Sequence, residues 1–325
     1  MSGAIRTLLL LPHIRIHNAN ALSSPYTIGF PAMTAWLGAV HAMQRKIQSY
    51  LSTVEFVATG VVCHSISLQI YKGPNDFVSS IIGTGNPLEP KSEKNNPGNA
   101  VRSSFIEEAR CHLDVSLIIE VSGLDIDDHD LLCKRVSQSL HTMKIAGGDI
   151  NQFAAPFIRK IEDGNDKDMA QLNRRLMPGY VLIERRELMA QSMEEGQDAL
   201  EAILDYLAIH HHCERNDQEE VVWSSHRKKQ PQKNDEPAKP AGWIVPIATG
   251  FHGITPIGEA KNQRDPETPH CFAESVVTLG EFKMPYRVKS VDEMLWRYHF
   301  NEASSLYLCQ QITNDTGSVS NIDYY

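Results

Sequence analysis

The order of strand and helix patterns over the first 155 residues constrains the fold of this chain most. Near the N-terminus apolar and polar residues alternate with a period of two, which is typical of a strand with one buried face. Two isoleucines occupy one predicted face and three polar residues the other: Ile14 and Ile16 against His13, Arg15 and His17. We expect the polar set to form an open sheet face.

The segments that follow give the order strand, helix, strand, insertion, strand, helix, strand. Their predicted bounds are a helix over 32–48, a strand over 57–71, a strand over 111–121, a helix from about 125 to 143 and a strand over 150–153. This is the element order of a ferredoxin-like or RNA-recognition-motif-like (RRM-like) domain. We therefore predict an α+β fold, with such a domain over residues 1–155 and an insertion rich in Gly and Pro over about 72–110.

The region 156–325 is less regular. An apolar stripe within an acidic segment predicts a helix over about 184–210, and Ser290 with Glu293 forms a capping box that predicts a late helix. Between them, 226–240 carries no large apolar residue and is typical of a mobile linker.

Charge is distributed unevenly along the 325 residues, whose formal net charge is −9. The window 190–222 holds nine acids and one base, whereas 1–54 holds four Lys and Arg residues and no acid. A negatively charged protein can therefore keep a locally cationic surface. No run approaches the ~20 apolar residues of a membrane span, so we expect a cytoplasmic protein without a membrane partner. The six cysteines are scattered and predict reduced thiols.

Motifs for cofactors and metals are weak. The run from His210 to Cys213 suits a polar helix end better than a metal site, because consecutive helical side chains diverge by ~100°. Walker A, Rossmann and nucleophile-elbow motifs are absent from the sequence. We predict no cofactor, no metal and no catalytic residue.

Several features favour binding of a polyanion. Arg174 and Arg175 are adjacent and precede a predicted turn, and Arg264 lies in a predicted loop. Gly147 and Gly148 would let backbone amides approach phosphates, although a helix C-cap explains them equally well. Together these features suggest a basic groove that neutralises phosphates.

Blocks along about residues 5–290 resemble a known family, the second subunit of the Csy complex, which is the type I-F CRISPR surveillance complex. The blocks are Ile16–Pro25 (IHNANALSSP), Gly29–Pro31 (GFP), Trp36–Gly38 (WLG), His41–Arg45 (HAMQR), Met143–Gly148 (MKIAGG), Arg174–Tyr180 (RRLMPGY), Gly242–Ile247 (GWIVPI) and Arg264–Pro269 (RDPETP).

The resemblance implies a repeat-associated RNA-binding fold, ferredoxin-like with an inserted thumb. It implies a non-catalytic subunit that holds the 5′ handle of the CRISPR RNA, pairs with the large subunit at the foot of the complex, lies beside a backbone subunit and meets target DNA through the complex. Candidate RNA contacts are Arg15, Asn18, Asn20, Ser23, Ser24, a stacking Phe30, Gly147, Gly148, Arg174, Arg175 and Arg264. Short polar side chains in an irregular loop suit single-stranded RNA.

Two other functions stay open. A metal-independent endoribonuclease that processes CRISPR RNA would use histidines of the predicted sheet domain as general acid and base: His13, His17, His41 and His64. A scaffold that touches only proteins would need none of the candidate RNA contacts.

Overall fold

The computed structural model describes residues 4–81, 89–90, 100–101, 108–215, 221–228 and 242–312. Its strands are β1 (Ile5–Asn20), β2 (Leu22–Ser24), β3 (Thr27–Ile28), β4 (Glu55–Leu68), β5 (Ile70–Tyr71), β6 (Ser80–Ile81), β7 (Glu89–Pro90), β8 (Ala100–Val101), β9 (Arg110–Ser122), β10 (Lys144–Ile145), β11 (Gly148–Gln152), β12 (Phe157–Glu162), β13 (Tyr180–Glu184), β14 (His210–Arg215), β15 (Val221–His226), β16 (Trp243–Gly253), β17 (Ala273–Lys283), β18 (Trp296–Asn301) and β19 (Leu306–Gln311). Its helices are α1 (Met33–Ile47), α2 (His129–Leu140), α3 (Asp166–Leu176), α4 (Arg186–Glu194) and α5 (Ala199–Leu207), with 3-10 turns at Ile126–Asp128, Pro285–Arg287 and Asp292–Met294.

A mixed α+β architecture is confirmed, and it is built on one large antiparallel sheet. Within the described residues eleven strands join it in the order β10-β11-β1-β9-β4-β13-β17-β16-β19-β18, with β12 also paired to β1. Strand β18 returns to β4, where Trp296 pairs with Thr59. Strands from both predicted domains thus share one sheet, and the division into 1–155 and 156–325 stays a prediction.

The two faces of the sheet carry different helices. Adjacent residues of a strand point to opposite faces, so Leu9 and Leu11 pack with α1 and α2, while Leu8 and Leu10 pack with α3. On the first face Trp36 is fully buried and its indole N–H donates to the Pro31 carbonyl. The opposite face is apolar where α3, the segment Val288–Leu295 and the helices α4 and α5 cover it, and it is polar around His13, Arg15 and His17.

Charged side chains tie the first strand to the C-terminal part of the chain. The Arg6 guanidinium donates to both oxygens of Asp292 at 2.7 Å and also reaches Asp163 and Glu120. Arg297 donates to Glu120 as well, at 2.7 Å. The hydrogen bonds from Arg6, together with its charge, lower the pKa of Asp292. This network fixes the segment around Asp292 and the start of β18 to β1 and β9.

The region beyond residue 184 differs from the sequence predictions in three places. Two helices, α4 and α5, stand where one acidic helix was predicted, and a capping box at Asp198 starts the second. The predicted late helix is a single 3-10 turn followed by β18. The run from His210 to Cys213 is a strand of a hairpin with β15 rather than a helix end. Most of the predicted insertion over 72–110 and of the linker over 226–240 lies outside the described residues.

Candidate nucleic-acid interface

Two bulges in β1 shape the polar part of the sheet. The register of β1 against β9 shifts between Leu11 and Ile14 and again between Ile16 and Ala19. Each shift contains a residue in the left-handed region, His13 with φ of 48° and Asn18 with φ of 59°. Bulges re-aim side chains and are frequent beside functional sites. Between them the strand is regular, with alternately buried and exposed residues as the sequence predicted.

The polar surface between and beside these bulges is called the histidine face here. It consists of side chains from three neighbouring strands: His13, Arg15 and His17 of β1, His64 of β4, and His112, Asp114 and Ser116 of β9. The imidazoles form two stacked pairs. His13 and His64 have ring centroids 4.2 Å apart, and His17 and His112 have centroids 4.4 Å apart. Flat rings and hydrogen-bonding nitrogens are thus concentrated on one open surface.

Hydrogen bonds at both ring nitrogens hold His64. Nδ1 lies 2.6 Å from the carbonyl oxygen of Pro178, and because a carbonyl only accepts, Nδ1 carries the proton. Nε2 then accepts from the Ser116 hydroxyl at 2.7 Å, while that hydroxyl accepts from the His13 backbone N–H at 3.0 Å. Burial lowers the pKa of His64. His64 is therefore a neutral, oriented imidazole near pH 7.

The Asp114 carboxylate contacts the two exposed basic side chains of β1, His13 and Arg15. Its Oδ1 accepts from His13 Nδ1 at 3.1 Å, and Arg15 Nε lies 3.7 Å from Oδ2. The Arg15 side chain remains 62% exposed, and its Nη1 also donates to Gln152. Arg15 is therefore oriented by Asp114 and Gln152, and its exposed guanidinium can contact a ligand above the sheet.

The Asn18 turn closes the face at its far end. The Asn18 amide oxygen accepts from the Gln69 side chain at 3.0 Å, and the Asn18 backbone N–H donates to His112 Nδ1 at 3.1 Å. Asn20 uses its side chain within its own turn, where it accepts from the Leu22 N–H and donates to the Leu22 carbonyl. Asn18 belongs to the histidine face, whereas Asn20 organises the loop that follows.

Ser23, Ser24 and Phe30 build the structure behind this face. Both serine hydroxyls hydrogen bond to the Thr27 hydroxyl, at 2.9 and 2.7 Å, and Ser24 is buried. Phe30 is only 4% exposed and packs against Trp36 and Phe282. Its ring has no free surface for a base, so the expectation that Phe30 stacks on RNA is corrected: it is a core residue.

The two glycines lie in a tight hairpin between β10 and β11. Ala146 and Gly147 are the turn residues, with φ of 48° and 72°, as a two-residue hairpin of the primed type requires. At Gly148 a Cβ atom would lie 2.8 Å from the Ala19 N and from the His17 O. Gly148 thus allows the hairpin to pack against the second bulge, and neither glycine is a helix C-cap, since α2 ends at Leu140.

Arg174 and Arg175 lie in the last turn of α3, where both side chains are exposed. Cations there suit the helix dipole. The chain then passes to Pro178, whose carbonyl holds His64, and three residues span at most ~11 Å. The pair therefore stands at the border where the covered part of the sheet meets the histidine face. Among the described residues no acid forms a salt bridge with either arginine.

Arg264 lies elsewhere. Its loop joins the end of β16 at Gly253 to the start of β17 at Ala273, and its side chain is exposed. Phe282, against which Phe30 packs, is nine residues along β17 from Ala273, which corresponds to ~30 Å of strand. Among the described residues no hydrogen bond or salt bridge joins Arg264 to the Asn18 turn, whose partners are Gln69, His112 and Arg110.

Sequence reasoning missed His112, Asp114, Ser116 and Gln69 as members of the site. The signal was present, because the alternation of β9 puts His112, Asp114 and Ser116 on its polar side. To recognise these residues as part of the site one also needs the pairing of β9 with β1, which only the structure supplies. His41, by contrast, lies on α1 and therefore on the other side of the sheet.

Among the described residues no helix has the length and apolar character to cross a bilayer.

Comparison with known proteins agrees with the resemblance noted in the sequence. The family described as CRISPR-associated protein (Cas_Csy2) matches residues 9–309. The CRISPR-associated protein Csy2 of Pseudomonas aeruginosa (strain UCBPP-PA14) is 34% identical over 315 residues, which cover 92% of this chain and 94% of that protein. The match spans every strand of the histidine face. The chain therefore belongs to the Csy2 family of CRISPR-associated proteins, whose members are subunits of the type I-F Csy complex.

Proposed function

We propose that this chain is a non-catalytic subunit that binds the 5′ handle of the CRISPR RNA on its histidine face. It pairs with the large subunit at the foot of the complex, lies beside a backbone subunit and meets target DNA only through the assembly. The observation that carries the proposal is the open polar face itself, which joins Arg15, Asn18 and the stacked histidines on three adjacent strands.

The sheet topology supports an RNA-binding role for this face. The strands β12 and β11, β1, β9 and β4 are neighbours in that order and are all antiparallel. With α1 and α2 on one side, this strand order supports the ferredoxin-like interpretation that we propose. In RRM-like domains the helix-free face is the one that contacts single-stranded RNA. The histidine face lies on the side of the sheet away from α1 and α2.

The charges on the face favour recognition by hydrogen bonds over a purely electrostatic grip. Arg15 pairs with Asp114, Lys144 with Asp149 and Arg110 with Glu108, so the cations beside the face carry local counter-charges. Arg174 and Arg175 lack such partners among the described residues and are the phosphate contacts that we propose. Imidazole nitrogens, the Arg15 fork and the Asn18 turn then contact base edges and sugar hydroxyls.

Charge reversal tests the proposal in the assembled complex. The chain is co-expressed with its partner subunits and a repeat–spacer array, and guide affinity is measured as a function of salt. Loss of two phosphate contacts in R174E/R175E should weaken guide binding. It should also make the fall of log K with log salt less steep, by roughly 1.4 in slope.

The matched control is R45E/K134E, which makes the same charge change on the exposed sides of α1 and α2, away from the histidine face. It should bind like the wild type. Equal affinity and salt slope for all three complexes would refute phosphate contact by the arginine pair. Crosslinking of bound RNA to peptides that contain residues 13–20 and 110–116 tests the face independently.

One observation favours the endoribonuclease as a second candidate. His13 is oriented by Asp114 and lies beside His64, an arrangement typical of a general base with a second imidazole in reach. It differs from the main proposal in requiring cleavage by the chain alone. Prolonged incubation of the purified chain with repeat RNA, with and without a chelator, separates them: intact RNA removes the nuclease, whereas cleavage that H13N abolishes supports it.

A further inference from the structure

Three side chains of the histidine face meet as a cluster of metal-ligand type. His13, His64 and Asp114 each offer one ligand atom, and these atoms all lie within 4.8 Å of one another. They come from β1, β4 and β9, three strands that are neighbours in the sheet. His64 and Asp114 are partly buried and His13 is exposed, so the cluster lies at the sheet surface with His13 on its solvent side.

His64 is already in the form that a metal requires. Its Nδ1–H donates to the Pro178 carbonyl, which leaves Nε2 unprotonated with a lone pair that can bind an ion. Histidine ligands of metals almost always donate the other ring N–H to a carbonyl or carboxylate, which fixes their tautomer and orientation. Here the Ser116 hydroxyl occupies Nε2, and a hydroxyl can rotate away or itself ligate an ion without any movement of the backbone.

His13 and Asp114 supply the other two ligands. His13 Nδ1 and Asp114 Oδ1 are 3.1 Å apart, close to the spacing of two ligands around a tetrahedral ion with bonds of ~2.0 Å. In the free protein Nδ1 carries a proton, and a shift of that proton to Nε2 frees the lone pair. Arg15 contacts the second carboxylate oxygen at 3.7 Å and is exposed enough to move aside.

We propose that His13, His64 and Asp114 bind one divalent transition-metal ion, with zinc as the best match. Two imidazoles and one carboxylate are a borderline donor set that suits Zn²⁺ and discriminates against Mg²⁺ and Ca²⁺, which prefer oxygen ligands. Three protein ligands leave a fourth position open. The His13 side chain is 45% exposed, so this position faces solvent above the sheet, where a water or a phosphate oxygen completes the coordination.

The proposal does not depend on RNA binding. It rests on the arrangement of three side chains, and it revises the sequence expectation of no metal, because the ligands lie on three separate strands and form no local motif. His212 and Cys213 in the hairpin of β14 and β15 are exposed and could also bind a metal ion. The experiment therefore has to distinguish this hairpin from the cluster of His13, His64 and Asp114.

Co²⁺ and Zn²⁺ are the probes, applied to the full-length chain after any affinity tag has been removed. We expect one equivalent of Co²⁺ to bind with the visible absorption of a four-coordinate ion, and Zn²⁺ to displace it in equilibrium dialysis. D114N and H13N should each weaken binding by at least about 100-fold. Asn at position 13 tolerates the left-handed backbone, so H13N should remain folded.

Two further variants complete the test. H17N is the matched control, since His17 lies on the same face in the other stacked pair. It should bind Co²⁺ with the affinity of the wild type. H212N/C213S should also leave binding unchanged. The proposal is overturned if the wild type takes up no Co²⁺, if D114N and H13N titrate like the wild type, or if the binding disappears in H212N/C213S. Circular dichroism of each variant confirms that lost binding does not report lost folding.

Discussion

Gly179 controls how α3 and the histidine face fit together, and Gly179→Ala is the sharpest test of that junction. An added Cβ would lie 2.6 Å from the Leu176 carbonyl oxygen, 2.8 Å from His64 Nδ1 and 2.9 Å from Val62 Cγ1. Contacts below 3.0 Å force a neighbour to move, and one of these atoms is backbone. Because the neighbouring Pro178 carbonyl accepts the His64 bond, any shift disturbs that bond too.

The expected loss follows from two contributions. Overpacking of a well-filled interior typically costs about 1–3 kcal/mol, and loss of the His64–Pro178 hydrogen bond costs about 1 kcal/mol. The free energy of unfolding should therefore fall by about 2–4 kcal/mol. At about 1.4 kcal/mol per factor of ten, the ratio of folded to unfolded protein falls by roughly 30-fold to 1000-fold.

Urea unfolding at constant pH measures this loss as a lower midpoint with an unchanged slope. Gly38→Ala is the control, because a Cβ at Gly38 meets nothing within 4 Å and the residue lies inside α1. There alanine should stabilise the chain by about 0.5–1 kcal/mol. If Gly179→Ala unfolds at the same urea concentration as the wild type, the close packing of this junction is refuted.

Three further outcomes are expected. The hydrogen bonds from Arg6 lower the pKa of Asp292, so this pair stabilises the folded protein at pH values above the ordinary carboxyl pKa of 3.8. The stabilisation is lost as the pH falls through the lowered pKa. Urea midpoints measured from about pH 6 to pH 2 should therefore decline less steeply with acid in Asp292→Asn than in the wild type. Burial raises the pKa of Cys63 to about 12 while Cys213 is exposed, so a thiol reagent at about pH 8 should label Cys213 first, and Cys213→Ser should remove the fastest phase. Phe30→Leu loses two ring contacts worth about 0.5–1.5 kcal/mol each; unfolding should become easier by about 1–3 kcal/mol, whereas an unchanged midpoint combined with weaker RNA binding would restore the stacking role.

The first half of the fold could be predicted because its patterns are local. The alternation around Ile14 and Ile16, and the apolar stripe of α1, each place a hydrophobic surface on one side of one element. The late strand β18 could not be predicted in this way. A capping box at Ser290 and Glu293 and helical spacing beyond it predict a helix there, but pairing with β19 and the buried Trp296, whose indole donates to the Leu182 carbonyl, decide for a strand.

The site was predictable only in part for a similar reason. Arg15 and Asn18 stand out in the sequence as polar residues of β1, and the structure keeps them on the open face. Phe30 stands out equally as an aromatic beside a polar loop, yet its burial depends on Phe282 from the other half of the chain. A contact between distant residues leaves no trace in a local pattern, so sequence alone does not separate exposed aromatic residues from buried ones.

The first strands of the sheet depend on partners that are made late, as the pairing of Arg6 with Asp292 across 286 residues also shows. The outer edge of β4 is covered by β13 and β18, so it stays bare on the ribosome until those late strands have been made. A bare strand edge is a template for wrong partners, and contacts between remote segments form slowly. We therefore expect newly made chains to depend on chaperones, and fragments that stop before residue 296 to accumulate as insoluble protein.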